Sequence, residues 1–245
     1  MRRFFFRSAD RTGEMVILPD YESHHIRSVL RLSTGMQVEL FDGLGGVHQA
    51  ELLEIAGRMG ARILSSSLDQ DALGVPLFVG QGVLKGKNMD TVVQKCTELG
   101  VAGFSPLISS RCQGRPEPER ERKRHQRWLR IVEEACKQCG RSRPMELQET
   151  TDFQETIASP GIDPAGLKIL FWEEERDVHI QDLLPLHEVG MVHILLGPEG
   201  GFTQAEAAGA RDAGWRTVSL GRRILRAETA TLASVAILQH LLGAI

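Results

Sequence analysis

Leu195-Leu196-Gly197-Pro198-Glu199-Gly200-Gly201-Phe202-Thr203 is the stretch on which the fold turns. An apolar run, Val192 to Leu196, leads into three glycines and a proline, and a helical pattern opens at Thr203. Thr203 and Glu206 have the capping-box spacing, in which a hydroxyl and a carboxylate satisfy orphan N–H groups at a helix start. A buried strand passing through glycines into a helix is the joint of a parallel α/β sheet, where ligands bind beyond the strands' carboxyl ends. Glycines there allow positive φ and remove the Cβ that would hold a ligand off the backbone. A tight turn does not need three glycines in five residues, so the segment reads as a ligand loop.

Leu220-Gly221-Arg222-Arg223-Ile224-Leu225-Arg226-Ala227-Glu228-Thr229-Ala230 repeats the pattern. Thr217 to Leu220 is strand-like, and Thr229 to Leu242 is helical and rich in small residues, which lets it pack closely on neighbouring backbone. Arg226 and Glu228 stand at the mouth of that helix, where charge is costly unless the two pair with each other or hold a ligand.

Outward from these loops, strands and helices alternate. Leu77 to Leu84, Val101 to Ile108 and Leu167 to Trp172 read as strands, while Met89 to Leu99, Glu117 to Cys139 and Thr203 to Ala213 read as helices. The Met89 helix gathers Met89, Val92, Val93 and Cys96 on one face. These elements predict a mostly parallel sheet covered on both faces.

Residues 1 to about 72 differ. Val38 to Phe41, Val47 to Ile55 and Ala61 to Leu64 read as short strands separated by Asp42-Gly43 and Gly45-Gly46 turns. One short helix, Ser23 to Leu30, is expected to turn Ile26, Val29 and Leu30 inward and to set Arg27 beside Arg31 outside. This is the pattern of a small β-barrel of the kind that binds RNA, or of a structural appendage. Asp69 to Val75 is polar and precedes Pro76, so the expected domains are 1–72 and 73–245.

With 245 residues, 42% of them apolar and 25% charged, the chain can build a substantial core. It lacks an apolar run long enough to span a bilayer, and the Phe4-Phe5-Phe6 stretch is too short for a secretory signal, so a cytoplasmic location is expected. Cys136-x-x-Cys139 has the spacing of half a zinc site or of a redox pair, but a second Cys-x-x-Cys is missing and the pair falls in a helical stretch, so buried or partly buried thiols are the plainer reading. The eight histidines show no ligand spacing, and no metal is expected. A phosphate-cradling Gly-x-x-x-x-Gly-Lys-Ser/Thr is missing, and Gly80-x-Gly82-x-x-x-Gly86 has the wrong spacing for a dinucleotide loop. The net charge is −3, yet Arg111 to Arg143 holds eleven Lys/Arg against five Glu. Such an excess suits phosphate contacts, whereas i,i+4 ion pairs on a solvated helix are the plainer alternative.

The elements His25-Ile26-Arg27-Ser28-Val29-Leu30-Arg31, Gln94-Lys95-x-Thr97-Glu98-Leu99-Gly100-Val101, Gln138-x-x-Arg141, Gly197-Pro-Glu-Gly-Gly201 and Leu220-Gly-x-Arg-Ile-Leu-Arg-x-Glu-Thr-Ala230 occur in this order over nearly the whole chain. Together they resemble the RsmE family of 16S ribosomal RNA uridine-N3 methyltransferases, of the SPOUT class. The resemblance implies a PUA-like RNA-binding barrel, a C-terminal α/β domain tied in a trefoil knot, and a homodimer acting on 16S ribosomal RNA or the small ribosomal subunit. It implies S-adenosylmethionine held by Leu196, Gly197, Pro198, Glu199, Gly200, Gly201, Leu220, Gly221, Ile224, Leu225, Arg226, Thr229 and Ala230. Arg226 is then the first catalytic candidate, with Glu199 and Glu228 as proton acceptors or as partners that orient it. Arg27, Arg31, Arg111, Arg115, Gln138 and Arg141 are candidates for RNA contact. Competing readings are a non-catalytic ribosome-assembly factor and a related enzyme acting on another ribosomal or transfer RNA position.

Overall fold

The computed structural model describes residues 2–55, 57–69, 74–115, 117–159, 165–184 and 189–245. The 72/73 boundary expected from the sequence lies outside the described residues. Two compact units divide the chain: Met1–Leu73 with Cys136–Pro144, and Gly74–Ala135 with Met145–Ile245.

The first unit holds β1 (Arg3–Phe5), β2 (Arg11–Thr12), β3 (Met15–Ile17), the one-turn α1 (Asp20–His24), β4 (Gln37–Phe41), β5 (Gly46–Ile55) and β6 (Arg58–Leu68). They form a six-stranded sheet in the order β1-β4-β5-β6-β3-β2, antiparallel except for the β1–β4 pair. Period-two alternation sends Val38, Leu40, Ala50 and Leu52 into one core with Phe4, Phe6, Val16, Leu18 and Ile26. The three shortest of these strands carry too few residues to show a period in the sequence.

The helix expected over Ser23 to Leu30 is corrected. After α1 the chain widens into a π-turn over His25–Val29, with Leu30 N–H donating to the His25 carbonyl at 2.9 Å. The extra residue rotates the end of the turn away from the helical register. Ile26 stays buried, but Val29 is 63% exposed. Arg31 leaves the helix with φ 52°, so it is not the helical neighbour of Arg27.

The second unit is a seven-stranded, wholly parallel sheet. Its elements are β7 (Leu77–Gly82), α2 (Asn88–Glu98), β8 (Gly103–Ile108), α3 (Pro118–Cys139), β9 (Glu146–Leu147), β10 (Thr151–Asp152), α4 (Phe153–Ile157), β11 (Leu167–Phe171), β12 (Val192–Leu196), α5 (Gln204–Asp212), β13 (Arg216–Val218) and α6 (Ala227–Leu241). The order is β10-β8-β7-β12-β11-β13, with β9 also on β8. Every residue of β12 is buried, as a strand between two parallel neighbours must be. Met89, Val92, Val93 and Cys96 are all buried, as the periodicity of α2 predicts. The two glycine loops do not follow neighbouring strands, because β11 lies between β12 and β13. A third strand end therefore belongs to whatever those loops enclose.

Among the described residues no helix is long and apolar enough to cross a membrane, and no group of three or more metal-ligating side chains occurs.

Candidate active site

Beyond the carboxyl ends of β11, β12 and β13 the second unit opens into a cavity of about 640 Å³. Leu196 to Gly201 and Ser219 to Ala227 line it, together with Glu228, Ala230, Asn88, Phe171, Trp172, Glu173 and Arg176. Of the expected cofactor residues, all but Thr229 line this space, and that side chain is exposed on α6. The volume falls in the usual range for small-molecule sites, roughly 300–1,000 Å³.

The first loop is fastened from behind. Thr203 Oγ1 accepts from Glu206 N–H at 3.2 Å, and Glu206 accepts in return from Thr203 N–H at 2.8 Å, the reciprocal cap the sequence indicated. Glu206 also accepts from Ser110 N–H at 2.8 Å. Burial alone would raise its pKa, but the Ser110 and Thr203 donors hold it below the ordinary value. Arg111 donates to the Gly200 carbonyl at 2.6 Å, and the buried Gln81 amide donates to the Gly197 carbonyl at 3.0 Å while Thr231 donates to its oxygen. Gly201 adopts φ 68° and packs on Glu173, whose carboxylate a Cβ would strike. Gly221 adopts φ 113°.

Gly80 and Gly82, whose spacing is wrong for a dinucleotide loop, serve packing instead. A Cβ on Gly80 would strike Leu195, and one on Gly82 would lie 2.5 Å from the Pro198 nitrogen. They let β7 sit close against β12 and its loop.

Glu175 fixes the third segment, after β11. One of its oxygens accepts from the N–H groups of Arg176 and Asp177, both at 3.0 Å. The other accepts from Thr217 Oγ1 at 2.6 Å and Arg211 at 3.3 Å, and Arg211 lies over the Trp172 ring. Burial would raise the Glu175 pKa, but the Thr217 hydroxyl and the loop N–H groups stabilise the anion and bring it down to about 2. Its stabilising contribution is thus complete above its ordinary value of 4.5 and is lost as the pH falls toward about 2. Glu175→Gln is expected to cost about 1.5–3 kcal/mol near neutral pH, the range for hydrogen bonds to a charged group. In urea unfolding the gap between parent and variant should close over that acid window. A gap independent of pH would remove the ionised carboxylate from this account.

Sequence reasoning missed Glu173, Glu175, Arg176 and Gln81. Glu173 to Arg176 follows the apolar strand-like run Leu167 to Trp172 but lacks the glycines that marked the other two loops. Gln81 gave no signal.

Arg226 is the exposed N-cap residue of α6, with extended φ and ψ, and Glu228 lies half-buried in the first turn. No ion pair joins them among the described residues. Glu199 accepts from Lys85 N–H at 2.8 Å, which pins the loop to the β7–α2 connection. The arginines chosen for RNA are more engaged than the sequence suggested. Arg27 donates to the Gly57 carbonyl at 3.3 Å and Arg115 to the Thr150 carbonyl at 2.9 Å, while burial pulls the Arg141 pKa down. Within the basic stretch, Lys137 pairs with buried Glu22, Arg127 with Asp90 and Lys123 with Glu119. Gln138 and Arg31 are exposed.

A parallel sheet whose glycine loops close a cleft, on a chain that also carries a small β unit, defines a class, and the comparisons agree on it. Residues 72–239 match the RNA methyltransferase domain family, and residues 18–59 match the RNA methyltransferase PUA domain. The ribosomal RNA small subunit methyltransferase E of Synechocystis is 32% identical over 93% of this chain and 73% of its own length. Its Aquifex aeolicus counterpart is 30% identical over 96% and 98%. The Neisseria gonorrhoeae enzyme of that name, in a crystal structure bound to S-adenosylmethionine, superposes with a TM-score of 0.86 at 34% identity, covering 98% of both chains. The chain belongs to the ribosomal RNA small subunit methyltransferase E family.

Proposed function

We propose that the chain methylates N3 of a uridine in 16S ribosomal RNA, with S-adenosylmethionine as donor, in the cytoplasm and as a homodimer. The observation that carries this is the cleft itself: three loops converge on one cavity, and the backbone of two is exposed through glycine. The relatives' names and the donor bound to the Neisseria enzyme support the reading. In this assignment residues 1–72 hold RNA, and 73–245, on the knotted path that the resemblance implies, carry the chemistry.

The cleft residues fit the donor. Leu196, Phe171 and Trp172 offer apolar wall to an adenine, and the 197–201 and 220–225 segments bring backbone groups to its edge and to the ribose. When bound, the donor supplies an electrophilic methyl group on a sulfonium. The protein's part is to align the nucleophile and exclude water. Neutral uridine keeps a proton on N3, and losing it spreads negative charge onto the flanking carbonyl oxygens. In this reading Arg226, a cation at a helix N-terminus, holds that charge. The Glu228 side chain makes no hydrogen bond among the described residues and is the acceptor for the proton. Glu199, fastened to Lys85, orients the loop.

Two measurements test this. Calorimetry with S-adenosylmethionine should show one site per chain, and Gly221→Val, which forces a β-branched residue to φ 113°, should weaken it at least tenfold. Mass mapping of 16S ribosomal RNA from a strain lacking the gene should show one uridine without its N3 methyl group, restored by the gene. An unaltered methylation map, or a change at another base, would refute the substrate assignment.

A further inference from the structure

Four arginines line the mouth of the cleft: Arg176, Arg222, Arg223 and Arg226. All are exposed, and none has an ion pair or side-chain hydrogen bond among the described residues. This contrasts with the arginines that the sequence nominated for RNA, several of which donate to the protein's own carbonyls. Arg176 is presented on a firm base, since its own N–H is held by the buried Glu175. Between Arg223 and Arg226 stands Ile224, at 88% the most exposed large hydrophobic side chain among the described residues.

Unpaired positive charge around a cavity that must receive a base attracts a polyanion, and phosphate contacts fix the register of a strand without reading its sequence. A base can enter such a cleft only by leaving its stack, and an apolar side chain at the entrance can cover the surfaces it vacates. Resting on the methyltransferase reading above, we propose that Arg176, Arg222 and Arg223 bind phosphates on either side of the target nucleotide. Ile224 packs against the bases that flank it. The rim is the RNA-strand site; Arg27 and Arg115, which donate to the protein's own carbonyls, are not counted in it.

The test titrates 16S ribosomal RNA, transcribed in vitro, against the parent protein, Arg222→Ala/Arg223→Ala, Arg176→Ala and Ile224→Ser at several salt concentrations. Each lost single-strand phosphate contact lowers the log–log salt slope by about 0.7. The double variant should therefore lose about 1.4 in slope and Arg176→Ala about 0.7. Ile224→Ser should lose affinity at an unchanged slope, since it removes no charge. Unfolding midpoints equal to the parent's would show that the exposed loop still sits on an intact fold. Arginine variants with the parent's affinity and slope would overturn the rim, and the methyltransferase reading would stand if the parent binds S-adenosylmethionine by calorimetry. A parent that does not bind it overturns both. Loss of self-association by the same variants in sedimentation would make the rim a contact between copies and overturn the RNA site.

Discussion

Arg226→Ala is expected to bind S-adenosylmethionine with near-parental affinity and to slow single-turnover methylation roughly 10²-fold or more, the cost of removing one preorganised electrostatic contact. The expectation rests on where the residue sits. Arg226 caps α6 with its backbone, which any residue with extended φ and ψ can do, and its side chain makes no capping bond. The variant should therefore keep the helix and lose only the guanidinium. That group carries charge at a helix N-terminus facing the cleft, where negative charge on a uridine oxygen would be stabilised twice over, by the cation and by the helix. Arg226→Lys should recover only part of the rate, because an ammonium cannot reproduce the planar fork of a guanidinium. Near-normal turnover in the alanine variant would remove Arg226 from the chemistry. A parallel loss of donor affinity would instead make it a binding residue.

Gly82→Ala tests the architecture behind the cleft. A Cβ at Gly82 would lie 2.5 Å from the Pro198 nitrogen, 2.6 Å from its Cδ and 2.9 Å from the Gly197 carbonyl carbon. These are backbone and ring atoms of a loop already tied down by Gln81 and Arg111, so they cannot yield as the end of a flexible side chain would. Overpacking of this kind costs about 1–3 kcal/mol of stability. The loop must also move, which separates the two glycine segments that face the donor. S-adenosylmethionine affinity should fall tenfold or more, equivalent to about 1.4 kcal/mol. Gly190→Ala, whose Cβ would meet open space, serves as the matched substitution away from the site. If Gly82→Ala bound the donor like the parent, close apposition of β7 and the 197–201 loop would not be what shapes the cleft.

Local pattern determined a good deal of this protein. The run into Gly197 and the Thr203–Glu206 cap could be read directly, because a capping box is complete within four residues and a buried strand shows as continuous apolar sequence. The α/β alternation and both glycine loops came from the same short-range rules. Their limit was visible even locally at His25–Val29, where one extra residue in a turn reversed the exposure of Val29.

Tertiary structure decided what depends on residues far apart in the chain. That β11 lies between β12 and β13, making a three-walled cleft, is a matter of strand order, which no periodicity encodes. Gln81 meets Gly197 and Thr231 across 116 and 150 residues, and Arg111 meets Gly200 across 89. Charge showed the same divide: composition marked 111–143 as basic, but only the fold revealed which of its side chains already had partners. An arginine is available to RNA only when the protein's own carbonyls and carboxylates leave it unclaimed, and that accounting exists only in three dimensions.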